Sequence, residues 1–125
     1  MGYQTYFNGQ FLLDRPLTPE HKKILDDFNT ERHDPGTVPE FKGPYSYYCQ
    51  WRPNADGTAI EWDGGEKFYD YVEWMRCLCD KFLTPWGYMV AGIVQWDGEE
   101  SGDMGQIIIA SPNIVTTRTA VITFQ

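Results

Sequence analysis

The sequence has 125 residues, 42% hydrophobic and 16% aromatic, with 18 acids against 10 bases and a formal net charge of −8. This length suits one domain that hides about two thirds of its unfolded surface, so a core needs neither metal nor disulfide. The acidity argues against direct nucleic-acid binding, which requires a Lys/Arg footprint to displace counterions.

Taken in chain order, residues 3–13 alternate polar and apolar side chains and predict a strand, with Gly9 as a candidate bulge. Thr18 suits a helix N-cap, Pro19 the first helical position, and Glu20 the positive end of the dipole. Ile24, Leu25 and Phe28 share one face of the helix that follows, to about Arg32. Residues 34–46, rich in Pro and Gly, read as loop. A hairpin follows, with Tyr47–Trp51 and Thr58–Trp62 flanking Asn54-Ala55-Asp56-Gly57.

Phe68, Tyr71, Val72, Met75, Leu78, Cys79 and Phe82 recur at spacings of three and four, which predicts a second helix from Glu66 to Phe82. Asp63 is its candidate N-cap. Residues 88–96, 106–110 and 114–124 then predict three strands. The order β-α-β-β-α-β-β-β predicts an α+β single domain over 1–125, an antiparallel sheet with two helices on one face. Its first six elements match a ferredoxin-like β-α-β-β-α-β core, with a C-terminal β extension.

Met1-Gly2-Tyr3 opens no basic and apolar signal segment, Tyr6 breaks an N-myristoylation motif, and no apolar run nears the ~20 residues of a membrane span. Three cysteines without a signal, Cys49, Cys77 and Cys79, point to reduced thiols and a cytoplasmic location.

Little in the chain resembles catalytic machinery. Trp62-Asp63-Gly64-Gly65-Glu66 and Trp96-Asp97-Gly98-Glu99-Glu100 each close a strand and would present carboxylates to a hard cation, but Asp-Gly is also ordinary turn chemistry. Cys77 and Cys79 are roughly 200° apart around a helix, so they cannot share a metal. Neither His21 nor His33 sits in a nucleophile motif, and capping or surface roles fit both. No metal or cofactor is expected.

The charge pattern supplies the leading expectation. On the predicted helix Glu66, Asp70 and Glu73 form an acidic ridge, with Tyr69 and Trp74 as aromatic anchors beside it. Those five residues are the expected binding face for a basic protein surface. The plainer reading is a solvated face partly compensated by Lys67 and Arg76.

Three segments carry a family resemblance. The opening MGYxTxFxGxF, the CQWxPxxDGTxIEWDGGEKFYDYVEW block over 49–74 and the FLxPWGYxxxGxVxW block over 82–96 resemble a family of small bacterial and phage proteins without an established activity. The resemblance implies a bacterial or phage origin. Together with the charge it gives the expected function: a small acidic interaction protein, inhibiting a host defence or other nucleoprotein complex in the manner of an anti-CRISPR protein. The alternative is a small-ligand or metal-dependent enzyme using the strand-end carboxylates. A homodimer through the β-prone stretch 114–124 is a further expectation.

Overall fold

The computed structural model describes residues 3–34 and 47–119. Six strands form one sheet: β1 (Thr5–Leu13), β2 (Trp51–Pro53), β3 (Ala59–Trp62), β4 (Val90–Gly98), β5 (Met104–Ala110) and β6 (Ile114–Thr119). Their order across the sheet is β2-β3-β1-β4-β5-β6, and every neighbouring pair is antiparallel. Two α-helices, α1 (Pro19–Thr30) and α2 (Tyr71–Leu78), complete the α+β fold, with a π-helical turn at Cys79–Leu83 extending α2.

Strand periodicity divides the sheet into two faces. Thr5, Phe7 and Phe11 of β1, Val94 and Trp96 of β4, and Ile107 and Ile109 of β5 point inward, whereas Tyr6, Leu12, Ile93 and Met104 are exposed. Leu25 and Phe28 of α1 and Trp74, Met75 and Leu78 of α2 join the inward set in a single core. The helices meet there, Phe28 edge-on to Trp74 at 5.9 Å. No helix among the described residues is long and apolar enough to cross a membrane.

Helix α1 starts as expected. Thr18 caps it by accepting from the His21 amide at 3.1 Å, and Pro19 opens the first turn. Gly9 is not a bulge, because β1 pairs with β4 in unbroken register from Thr5↔Gly98 to Leu13↔Val90. A Cβ at Gly9 would stand 2.7 Å from the Ile93 carbonyl oxygen, so the glycine allows close strand approach.

The predicted second helix needs the largest correction. It begins at Tyr71 rather than Glu66, and Lys67 and Asp70 have φ of 57° and 55°. Those left-handed residues interrupt any helix through 66–70. Tertiary packing outweighs periodicity here: Phe68 leaves the helical path to bury its ring against Trp51 (5.3 Å) and Phe7 (5.6 Å). The Trp51 indole also donates to the Tyr71 carbonyl at 2.8 Å, fixing where α2 starts.

Asp63 accordingly caps no helix. It accepts from the Gly65 amide at 2.7 Å and from the Asn29 amide group at 3.0 Å, tying the turn to the end of α1. The hairpin turn holds: Asn54 Oδ1 accepts from the amides of Thr58 and Ala59. Its strands are shorter than expected, and Tyr47–Gln50 lie outside β2. The expected loop, apart from Asp34, and the end of the last predicted strand lie outside the described residues.

Candidate functional site

The antiparallel register brings two distant acidic segments to one end of the sheet. Strands β3 and β4 both run against β1, so the turns that follow them emerge beside its first residues. Tyr3 and Gln4 stitch these turns together. The Gln4 amide donates to Glu99 Oε1 at 2.6 Å, while Gln4 Oε1 accepts from the Lys67 amide at 2.8 Å. The Tyr3 hydroxyl donates to Asp103 and accepts from the Glu100 amide, and the Tyr3 amide donates to the Tyr69 hydroxyl at 3.2 Å. The two Trp-Asp-Gly segments thus share one end of the molecule, a proximity that their sequence similarity does not require.

Residues 63–73 and 97–103 carry Asp63, Glu66, Asp70, Glu73, Asp97, Glu99, Glu100 and Asp103 against Lys67 alone. On α1 two acids have cations beside them: Lys22 reaches Asp26 at 2.8 Å and Lys23 reaches Asp27 at 2.7 Å. No ion pair forms at this acidic end among the described residues. Burial and hydrogen bonding, with a smaller contribution from neighbouring carboxylates, shift three groups there. Burial first, and then the Glu73 charge, raises the Asp70 carboxyl above its ordinary value. Burial, followed by Asp103 and Glu73, pushes the Tyr71 hydroxyl up to about 12. Hydrogen bonding to Asp103 likewise raises Tyr3.

The five expected binding residues have different fates. Glu66 and Glu73 are exposed, and Asp70 is half-buried at the start of α2 without a side-chain cap bond. Since 66–70 is not helical, the three carboxylates do not form a ridge on one helix face. Tyr69 is half-buried with its hydroxyl engaged by Tyr3. Trp74 is 0% exposed, wedged against Phe28 and His33, and cannot act as a surface anchor. The exposed aromatic at this end is Tyr6, 61% accessible, edge-on to Trp62 and directly across from Asp97. The strand alternation of 3–13 carried that signal, because Tyr6 is out of phase with Phe7 and Phe11.

A groove of about 750 Å³ continues from Tyr6 across the outer sheet face. One row of it crosses four strands, Asn8↔Gln95↔Gln106↔Arg118. No family model, curated protein or solved structure matches the chain. The site therefore has to be read from its own chemistry.

That chemistry does not favour a metal centre or a nucleophile. No group of three or more His, Cys, Asp or Glu side chains among the described residues is placed to hold a metal ion. All three cysteines are buried, and burial raises the thiols, Cys49 strongly and Cys79 to about 12. His33 is buried rather than a surface residue, with Nε2 3.0 Å from the Phe28 carbonyl oxygen. His21 stacks on Trp86 at 3.9 Å and bonds through Nδ1 to the Tyr88 hydroxyl at 2.8 Å, which in turn accepts from the Thr18 amide. Both imidazoles thus hold the fold together.

Proposed function

We propose that this chain is a non-enzymatic binding protein that docks its acidic end onto a basic protein surface. The observation that supports this most directly is the gathering of eight carboxylates against one lysine in residues 63–73 and 97–103, drawn to one end by the β1–β3 and β1–β4 pairings. A field predominantly of one sign accelerates encounter with the opposite sign and disfavours like-charged partners. Tyr6 supplies an exposed aromatic contact beside that field. A surface that itself holds nucleic acid has the complementary charge, so a nucleoprotein component is the partner class this reading favours. We further read β1-α1-β2-β3-α2-β4 as a ferredoxin-like unit, on the support of the order β2-β3-β1-β4. Such a scaffold hosts many functions and decides none.

The test is an octa-lysine peptide titrated calorimetrically into three proteins. One is wild type, one carries Glu66→Gln, Asp97→Asn, Glu99→Gln and Glu100→Gln, and one carries Glu20→Gln, Asp26→Asn, Asp27→Asn and Glu31→Gln. Each exposed pair contributes about 0.2–1 kcal/mol, so the first variant, with four carboxylates neutralised, should lose roughly fourfold or more in affinity. The second matches it in net charge and should lose less than half as much in free energy. Equal losses would show that net charge, not the acidic end, drives the binding.

The groove favours one second reading, a small polar ligand held by the Asn8, Gln95, Gln106 and Arg118 row. Gln95→Ala with Gln106→Ala would then abolish a thermal shift produced by that ligand while leaving octa-lysine binding unchanged.

A further inference from the structure

Among the described residues strand β6 ends the sheet on one side, and no strand lies beside its outer edge. Thr116 faces Ile108, with its hydroxyl 3.5 Å from the Ile108 carbonyl oxygen, so that carbonyl points toward β6. Residues along an antiparallel strand alternate between bonding their neighbour and turning away. Val115, Thr117 and Thr119 therefore direct their backbone N–H and C=O groups off the sheet. The Val115 carbonyl agrees with this, since it accepts from the Arg76 guanidinium at 3.1 Å.

Open edges invite pairing unless something blunts them. The opposite edge is guarded: β2 is three residues long and ends in Pro53. Strand β6 runs for six residues, Ile-Val-Thr-Thr-Arg-Thr, which are β-branched apart from Arg118 and include no proline or acid.

We propose that β6 pairs antiparallel with β6 of a second copy, about a two-fold axis at Thr117, joining two six-stranded sheets into one. An antiparallel strand edge is its own complement about a two-fold axis, the outward N–H of Thr117 meeting the outward C=O of the same residue in the second copy, and charge selects the direction. Thr119 pairs with Gly105, so β6 finishes at the acidic end beside Asp103. A parallel pairing would set two acidic ends side by side, whereas the antiparallel one sends them to opposite ends of the joined sheet. Register follows from Arg118. Centring the axis on Thr117 sets Arg118 across from the partner's Thr116, while a one-residue shift sets Arg118 across from its own copy, and like charges directly opposite are destabilising. The Val115 carbonyl keeps a second lone pair for the new ladder while Arg76 holds the first.

The geometry allows a covalent test. Across a hydrogen-bonded antiparallel pair the α-carbons are about 5.5 Å apart, within disulfide range. Thr117→Cys should therefore cross-link to itself under mild oxidant at least tenfold faster than the exposed control Glu20→Cys, and the three native cysteines are buried and do not compete. Light scattering should give twice the 14.5 kDa chain mass for wild type. Thr117→Pro should give the single mass with an unchanged circular dichroism spectrum, because the amide it removes belongs to no ladder within the chain. A wild type that stays monomeric at millimolar concentration would overturn the proposal. Cross-linking of Thr117→Cys no faster than the control would do the same, independently of how the proline variant folds.

Discussion

Asn113→Ala tests whether polar side chains, rather than apolar burial alone, lock the sheet to the end of the helical segment. Asn113 is 8% exposed, and its φ is 57°. Its Oδ1 accepts from the Val90 amide at 2.8 Å, and its Nδ2 donates to the Tyr88 carbonyl at 2.8 Å and to Thr84 Oγ1 at 3.0 Å. Alanine would leave the Val90 amide and Tyr88 carbonyl without these partners, at about 1–3 kcal/mol each. A left-handed backbone without a tolerant side chain adds about 1 kcal/mol. The sum, about 3–7 kcal/mol, is a large part of the roughly 5–15 kcal/mol available to a domain. Urea denaturation followed by tryptophan fluorescence should show the midpoint falling by roughly 2 M, taking m near the middle of its usual range. Asn113→Gly removes the same bonds but not the backbone freedom, so it should recover about 1 kcal/mol relative to alanine. An alanine variant within about 1 kcal/mol of wild type would refute the reasoning, as would glycine proving less stable than alanine.

Three further outcomes follow from burial and charge. Trp74→Ala should destabilise by about 3–5 kcal/mol in the same assay, because a fully buried indole leaves a cavity; a solvent-facing anchor would cost far less. Iodoacetamide should leave all three native cysteines unmodified at pH 8 until urea unfolds the chain, since each is buried and the Cys49 and Cys79 thiols are raised by burial. Asp70→Asn should stabilise at pH 7 and be nearly neutral at pH 3. The folded carboxyl of Asp70 is raised, so the native state binds more protons through the carboxylate range and stability falls as pH rises through it; an Asn variant with the wild-type pH slope would contradict this.

The sequence disclosed most where local chemistry and tertiary packing agree. Thr18-Pro19 marked the first helix, Asn54-to-Gly57 the hairpin turn, and alternation in 3–13 the long first strand. It misled where they compete. Phe68 sits in phase with the apolar stripe of α2, yet its ring packs against Phe7 and Trp51 from a non-helical segment between the left-handed residues Lys67 and Asp70. Periodicity cannot distinguish a helix from a chain that puts the same residue in the core by another route. The acidic character was visible in composition, but its location was not, because it depends on which strands β1 pairs with. Trp74 shows the same limit: a tryptophan beside charged residues in sequence became the centre of the α1–α2 contact.

The most direct test of the central claim is to titrate ¹⁵N-labelled protein with octa-lysine and map the amide shifts. The account predicts that the largest changes cluster at Tyr3, Gln4, Tyr6, residues 63–73 and residues 97–103, and disappear when Glu66, Asp97, Glu99 and Glu100 are neutralised. Shifts spread evenly over α1 and both sheet faces, or centred away from the acidic end, would contradict it.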